Sequence, residues 1–259
     1  LAWPWGGQAL WWLQIGATAA LFALLHTART ARAAAGLAFV FAWVWLGATV
    51  SWLYTSLHVY GGLAAALAIA AVAALCAFFA LYFALAAWVF KRFSRVFGEK
   101  SAWAAIIFSA TWLMAELARH SWFTGFPWGA SAYAQIDGPL AFIAPYAGVY
   151  GIALVGNVLA ASLGLFLLRV GQERPRLGQV PSRGALRLGL AYGALLLALG
   201  VLPVLLARWQ APRLPSHEPL RVELLQGNIS QGEKFNFDTG VPQALSWYGQ
   251  ALLASKADL

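Results

Sequence analysis

Six long apolar runs, divided by short polar breaks, leave this chain little choice of fold class. They cover approximately residues 7–25, 34–57, 62–90, 101–118, 139–168 and 186–207. A helix needs about 20 mostly apolar residues to cross a hydrocarbon layer of about 30 Å, and each run supplies roughly that. The third and fifth exceed a straight crossing and must tilt, bend or protrude. A soluble core cannot absorb the surplus. Apolar residues make up 61% of the chain and charged residues 10%, against about 45–50% and about 25% in soluble domains. Fourteen tryptophans fit as well, because indole rings favour the headgroup level. The expected fold is a polytopic α-helical membrane protein.

The net charge of +8 would suit nucleic acid, but its distribution does not. Basic residues gather between the apolar runs, without a soluble module that interleaves them with aromatics, so nucleic acid is excluded as a partner. Arg29 and Arg32 follow the first run, and no Lys or Arg lies between His58 and Gly61. Lys91, Arg92, Arg95 and Lys100 then cluster, 119–138 holds only Arg119, and Arg169, Arg174, Arg176 and Arg183 come next. This alternation is the positive-inside pattern. It predicts that 26–33, 91–100 and 169–185 face the cytoplasm and that 208–259 lies outside.

Little points to a metal or cofactor, and none is expected. Cys76 is the single cysteine and sits mid-run, where a thiol acts as a small hydrophobe. It excludes an internal disulfide and a Cys-rich metal site. The histidines at 26, 58, 120 and 217 show no ligand spacing. No nucleophile motif or phosphate-binding loop is present. The chain begins at Leu1, without Met or a recognisable signal peptide, and is expected to be a piece of a longer protein.

Near residue 208 the pattern changes. Pro212, Pro215 and Pro219 stand in a polar run, which ends a helix and makes a stiff linker over 210–219. Leu220 to Leu225 alternates apolar and polar residues, a strand signal. Asp238 or Thr239 then caps a helix in which Val241, Leu245, Tyr248 and Leu252 share a face. One strand and one helix bury no core. Residues 220–259 are therefore expected to begin a second, water-facing domain.

Two features could carry chemistry. Glu116 and Arg119 stand three apart on one helix face near the end of the fourth run. They read either as a mutual pair anchoring the helix or as a substrate-facing pair. The segment Ser121-Trp-Phe-Thr-Gly-Phe-Pro-Trp-Gly129 follows, then Tyr133-Ala-Gln-Ile-Asp-Gly-Pro139. Gly125 permits an unusual backbone angle, while Pro127 fixes its own φ and restricts Phe126. A shaped loop displaying Phe126 and Trp128 is expected at the outer surface. It suits interfacial anchoring and lipid binding equally.

These motifs together resemble the apolipoprotein N-acyltransferase family of bacteria. Glu116-Leu-Ala-Arg119, Thr124-Gly-Phe-Pro-Trp128, Tyr133 and Gln135-Ile-Asp-Gly-Pro139 look like its central membrane region. Ser51-Trp-Leu-Tyr54 with Gly61 and Gly62 adds to this. Leu225-Gln-Gly-Asn-Ile229, Gln231 and Lys234 resemble the opening strand and loop of the family's nitrilase-like (carbon–nitrogen hydrolase, αββα) domain. The likeness runs in order over nearly the whole chain.

The resemblance implies eight spans, seven before an extracytoplasmic nitrilase domain and one after, so the first and last would be missing here. It also implies location in the inner membrane. A cysteine thiolate would take an acyl chain from phospholipid and pass it to the α-amine of a diacylglyceryl-cysteine apolipoprotein, with a Glu base and an oxyanion-stabilising Lys. Those residues are expected after Leu259, and Cys76 is not the nucleophile. Gly125 and Trp128 match the Phe-Pro-Trp loop near the active-site mouth, and Gln231 matches a loop glutamine near the acyl site. Phe235 replaces a family tryptophan, which keeps aromatic surface but removes the indole N–H. The competing classes are a transporter or channel subunit, which would need matching discontinuous halves, and a membrane amidase on a nitrilase scaffold.

Overall fold

The computed structural model describes residues 10–97, 103–172, 189–190, 194, 220–234 and 236–257. The predicted run 186–207, the linker 210–219, Phe235, Lys100, Arg174, Arg176 and Arg183 lie largely or wholly outside the described residues. Contacts divide the chain into two units, 1–207 and 208–259.

The first unit is helical. In chain order come α1 (Trp11–Thr27), α2 (Ala31–Thr49), the short α3 (Trp52–Thr55), α4 (Ala65–Phe97), α5 (Trp103–Ser121) and α6 (Ala144–Gln172). The apolar run expected over 34–57 breaks at Val50. Beyond it α3 passes into a wide turn, Ser56–Tyr60, closed by Gly61 N–H to the Ser56 carbonyl. The fifth run bends at Gly148, whose φ of 61° and ψ of −167° interrupt α6.

Three of these helices are long and apolar enough to cross a membrane: Ala31–Thr49, Ala65–Val96 and Ala141–Gly171. The 17 residues of α1 reach only about 25 Å. α5 is continuous, but Glu116 and Arg119 lower its apolar character. At about 50 Å, α4 overshoots a bilayer core, and its last turns carry Lys91, Arg92 and Arg95. Only 33% of the apolar window of α2 and 28% of that of α4 is buried. Leu37, Val40, Val44, Leu67, Ile69, Leu81 and Leu85 all face outward. Water does not tolerate an apolar surface on that scale. Lipid does, and the protein is a membrane protein.

Helix α1 packs on α2, α2 on α4, α4 on α5, α5 on α6, and α6 returns to α1. The ring is drawn tight by small residues, as lipid-embedded interfaces require. Ala34, Ala38 and Ala42 recur every fourth residue of α2 and are fully buried. On α6, Gly156 lies beside Ile15 and Gln14, and Gly164 lies beside Ala19 and Phe22. The contacts advance in the same direction along both helices, so α1 and α6 run parallel. Aromatic rings fill the middle: Phe22 of α1 lies 5.3 Å from Phe108 of α5 and 5.7 Å from Phe90 of α4. Trp112, Phe83 and Trp45 continue the cluster. Trp43 crosslinks the helix pair by donating its indole N–H to the Ala73 carbonyl at 2.9 Å. Cys76 is buried in this core.

In the second unit, 220–230 is neither helix nor strand, and no strand occurs among the described residues. The alternating pattern at 220–225 is present, but a strand exists only when a neighbour pairs its backbone. Helix α7 (Gly240–Ala254) forms as expected, with Pro242 in its first turn, where no N–H is lost. Thr239 occupies the cap position, yet its hydroxyl donates to the Glu233 carboxylate instead of capping. The Tyr248 hydroxyl accepts the Gly227 N–H at 3.3 Å. Leu245 and Leu252, on the predicted apolar face, are exposed.

The small-residue contacts make a test. A Cβ at Gly164 would stand 2.8 Å from Phe22 Cδ1 and 2.9 Å from the Ala19 carbonyl. Gly164→Leu should therefore cost about 2 kcal/mol of stability, read as a lower thermal midpoint in detergent. Gly36 has open space around it, so Gly36→Ala should be neutral or stabilise by up to about 1 kcal/mol.

Candidate functional site

The two ends of the ring differ in chemistry. At one end lie His26, Arg29, Arg32, Lys91, Arg92, Arg95 and Arg169. Lys91 is buried there and donates to the His26 carbonyl, while Arg95 donates to the Arg29 carbonyl. Cations at the C-terminus of α1 satisfy carbonyls that a helix end leaves open. Arg92 stands 5.5 Å over the Trp88 ring. The opposite end collects the irregular segments, 50–64 and 122–143, with the N-terminal turn of α1. Among the described residues, its only Lys or Arg is Arg119, and Arg119 is buried.

Glu116 and Arg119 are both fully buried in the last turns of α5. They do not simply pair with each other. Arg119 Nη1 donates to the Phe126 carbonyl at 2.7 Å and to the Trp128 carbonyl at 2.6 Å. The Phe126 N–H returns a bond to the Arg119 carbonyl at 2.8 Å. Glu116 Oε2 accepts the Ser131 N–H at 3.4 Å. Both charged groups thus grip the backbone of the loop that follows them. Glu116 Oε1 and Arg119 Nε have no hydrogen-bond partner among the described residues.

That grip holds a contorted backbone. Phe123, Thr124 and Gly125 have φ of 53°, 71° and 80°, and Gly129 has φ of 72°. For Phe and Thr this region costs of order 1 kcal/mol each and persists only where surroundings impose it. A Cβ at Gly125 would lie 1.9 Å from the His120 carbonyl. Only glycine fits there, as the sequence pattern suggested.

The loop sorts its aromatics by depth. Phe126 was expected on display, but it turns inward and stacks on Phe79 of α4, with centroids 4.9 Å apart. The carbonyl bond to Arg119 draws its backbone toward the core. Trp128 is 54% exposed, 5.1 Å from Phe126 and 6.5 Å from Trp52. Trp122 and Phe123 are exposed beside it. Next along the chain, Gln135 is buried and donates to Gln14 Oε1 at 2.7 Å and to the Trp11 carbonyl at 3.3 Å. That bond ties the second turn to α1. A cavity of about 360 Å³ lined by Tyr133, Gln135, Ile136 and Ile152 adjoins this turn.

Of the sequence-predicted site residues, Gly125 and Trp128 share this loop, and Gln231 is exposed in a turn of the second unit. Sequence reasoning missed that Arg119 holds two loop carbonyls and that Gln135 bonds Gln14. The signal for the first was a charged residue directly before a Gly/Pro loop. The second partnership spans 121 residues and left no local trace.

A buried Glu and Arg gripping a Phe-Pro-Trp loop at one end of a ring of apolar helices sets this chain beside known proteins. The model of the apolipoprotein N-acyltransferase N-terminal domain matches residues 1–162. The chain belongs to the apolipoprotein N-acyltransferase family. It is 47% identical to an apolipoprotein N-acyltransferase of Verminephrobacter eiseniae, covering 100% of this chain and 47% of that protein. It is 39% identical to one of Ralstonia nicotianae over 96% of this chain and 44% of the relative. A third, from Nitrosomonas europaea, is 38% identical over 84% and 40% respectively. The chain spans about half the length of the curated relatives it matches.

The loop is testable. A Cβ at Gly129 would meet Thr49 Cγ2 at 2.3 Å. Gly129→Ala should destabilise by about 2 kcal/mol, combining clash and positive φ. Thr49→Ser removes that methyl but keeps the hydroxyl bond to the Trp45 carbonyl. In the Gly129→Ala background it should restore part of the loss, measured as a thermal midpoint in detergent.

Proposed function

We propose that this chain is the membrane part, with the start of the catalytic domain, of an enzyme that transfers a fatty acyl chain from phospholipid to the α-amine of diacylglyceryl-cysteine apolipoproteins. The observation that carries it is the alignment of the whole chain with a relative bearing that activity in its name, at 47% identity. The reaction runs in two steps. A cysteine thiolate attacks the phospholipid ester carbonyl, a thioester forms and lysophospholipid leaves. The lipoprotein amine then attacks the thioester carbonyl, an amide forms and the thiolate departs, its proton traffic handled by a Glu base while a Lys stabilises each oxyanion. These three residues belong to the remainder of the nitrilase-like domain, after Leu259. Cys76 does not serve, being buried in mid-helix within the hydrophobic core.

The architecture follows from the same reading. Residues 1–209 form a membrane domain of six spans, 210–219 link it to the outside, and 220–259 open the catalytic domain with Gln231 and Phe235 near the acyl site. The basic end of the helical ring faces the cytoplasm of the inner membrane. Support for this comes from the segregation of Arg29, Arg32, Lys91, Arg92, Arg95 and Arg169 to one end and of the aromatic loops to the other. The exposed Trp128 receives lipid.

Three measurements test this. Fusions to a reporter active only in the periplasm should work after Leu259 and fail near Gly178; the reverse would overturn the orientation. In the full-length enzyme, Trp128→Ala should lower acyl transfer about tenfold, as loss of a positioning contact does, with its thermal midpoint unchanged. Residues 1–259 given labelled phospholipid should form no hydroxylamine-sensitive adduct, whereas the full-length protein should form one. Labelling of 1–259 that Cys76→Ser abolishes would place the nucleophile wrongly.

A further inference from the structure

We propose that Arg119 is the positioning residue for Trp128, fixing the indole by holding the backbone on both sides of Pro127. This rests on the acyl-transfer reading for its kinetic consequence, but its geometry is independent of it. The Trp128 side chain is 54% exposed, and its ring neighbours are Phe126 and Trp52 at 5.1 and 6.5 Å. Both are ordinary aromatic contacts, but they leave half of the side chain uncovered, so its direction also depends on the backbone that carries it. That backbone is decided at one nitrogen. Arg119 Nη1 binds the carbonyls of residues 126 and 128, the two that flank the φ-locked Pro127. The Phe126 N–H closes the same turn onto the Arg119 carbonyl.

The preceding turn is closed by its own bond, Gly125 N–H to the Trp122 carbonyl at 3.0 Å. Phe123 and Thr124 within it lie at positive φ and are exposed, so loss of the clamp next to them favours relaxation toward ordinary conformations. At the far end Glu116 holds the Ser131 N–H. The charged pair therefore brackets 126–131 from beneath, with neither member exposed to a substrate. This separates two roles that the spacing of Glu116 and Arg119 left open. Arg119 acts on lipid through Trp128, not by touching it.

The test uses the full-length enzyme. Arg119→Met keeps length and apolar stem but leaves both carbonyls unbonded, while Arg119→Lys keeps a cationic donor on a flexible stem. In Arg119→Met, amide exchange should quicken across 122–129 and stay unchanged in α2 and α4. KM for phospholipid should rise about tenfold with kcat within about twofold, and Arg119→Lys should fall between. Trp128→Ala should mask the change, so that the double variant is no worse than Trp128→Ala alone. Multiplying defects, a loss confined to kcat, or unchanged exchange at 122–129 would each overturn the proposal. Should Arg119→Met not fold, Arg119→Lys carries the same comparisons. A wild-type enzyme that transfers no acyl chain would sink the functional reading instead, and the exchange arm alone would then decide the clamp.

Discussion

Hydrocarbon offers the backbone no hydrogen-bond partner, and the rest of this structure follows from that. Every segment at membrane depth must bond within itself, which makes it a helix. Irregular backbone is consequently pushed to the ends, where 50–64 and 122–143 gather beside the N-terminal turn of α1. Between the ends, apolar burial gives no preference for protein over lipid. The helices associate through close fit instead, and this explains the alanine column of α2 and the glycines of α6. Larger residues enter as leucines such as Leu25 and Leu46 and as rings packed centrally around Phe22, Phe108 and Trp112.

Charge is spent differently at the two ends. On the basic side, Lys91 and Arg95 satisfy carbonyls released at the C-terminal end of α1, and the remaining cations stay near solvent. On the aromatic side, Arg119 is buried, and what compensates its burial is loop backbone. A buried cation needs acceptors, and a loop of positive-φ residues needs an external constraint. Each meets the other's need. Trp128 remains exposed because the constraint acts on its carbonyl from below and leaves the indole free.

Among the described residues, neither the thiol nor the buried carboxylate beside the loop is presented to a substrate. The single thiol is packed in the core, and the buried Glu116 holds a backbone N–H. The second unit shows how secondary structure depends on neighbours. The 220–225 pattern is that of a strand, yet among the described residues it forms none, and Leu245 and Leu252 of α7 are exposed. A sheet ladder needs a second strand, and what 220–230 meets in α7 and its C-cap is side chains: the Tyr248 hydroxyl accepts the Gly227 N–H and the Ser255 hydroxyl donates to Glu223.

The sequence by itself determined the membrane class, because span length and apolar content are properties of consecutive residues. It determined the segregation of basic residues for the same reason, and it marked Gly125 and Pro127 as points of backbone constraint. Local signals also located α7, although not the use Thr239 makes of its hydroxyl. Only the tertiary structure decided the order of helices around the ring, since apolar faces in lipid do not specify their neighbours. It decided that Phe126 turns inward while Trp128 stays out, because Phe79 comes from another helix. It also decided that the hydrogen bonds of the Arg119 guanidinium go to the loop carbonyls. The spacing put the two charges on one face, but which acceptors a buried guanidinium finds depends on where the chain returns in space.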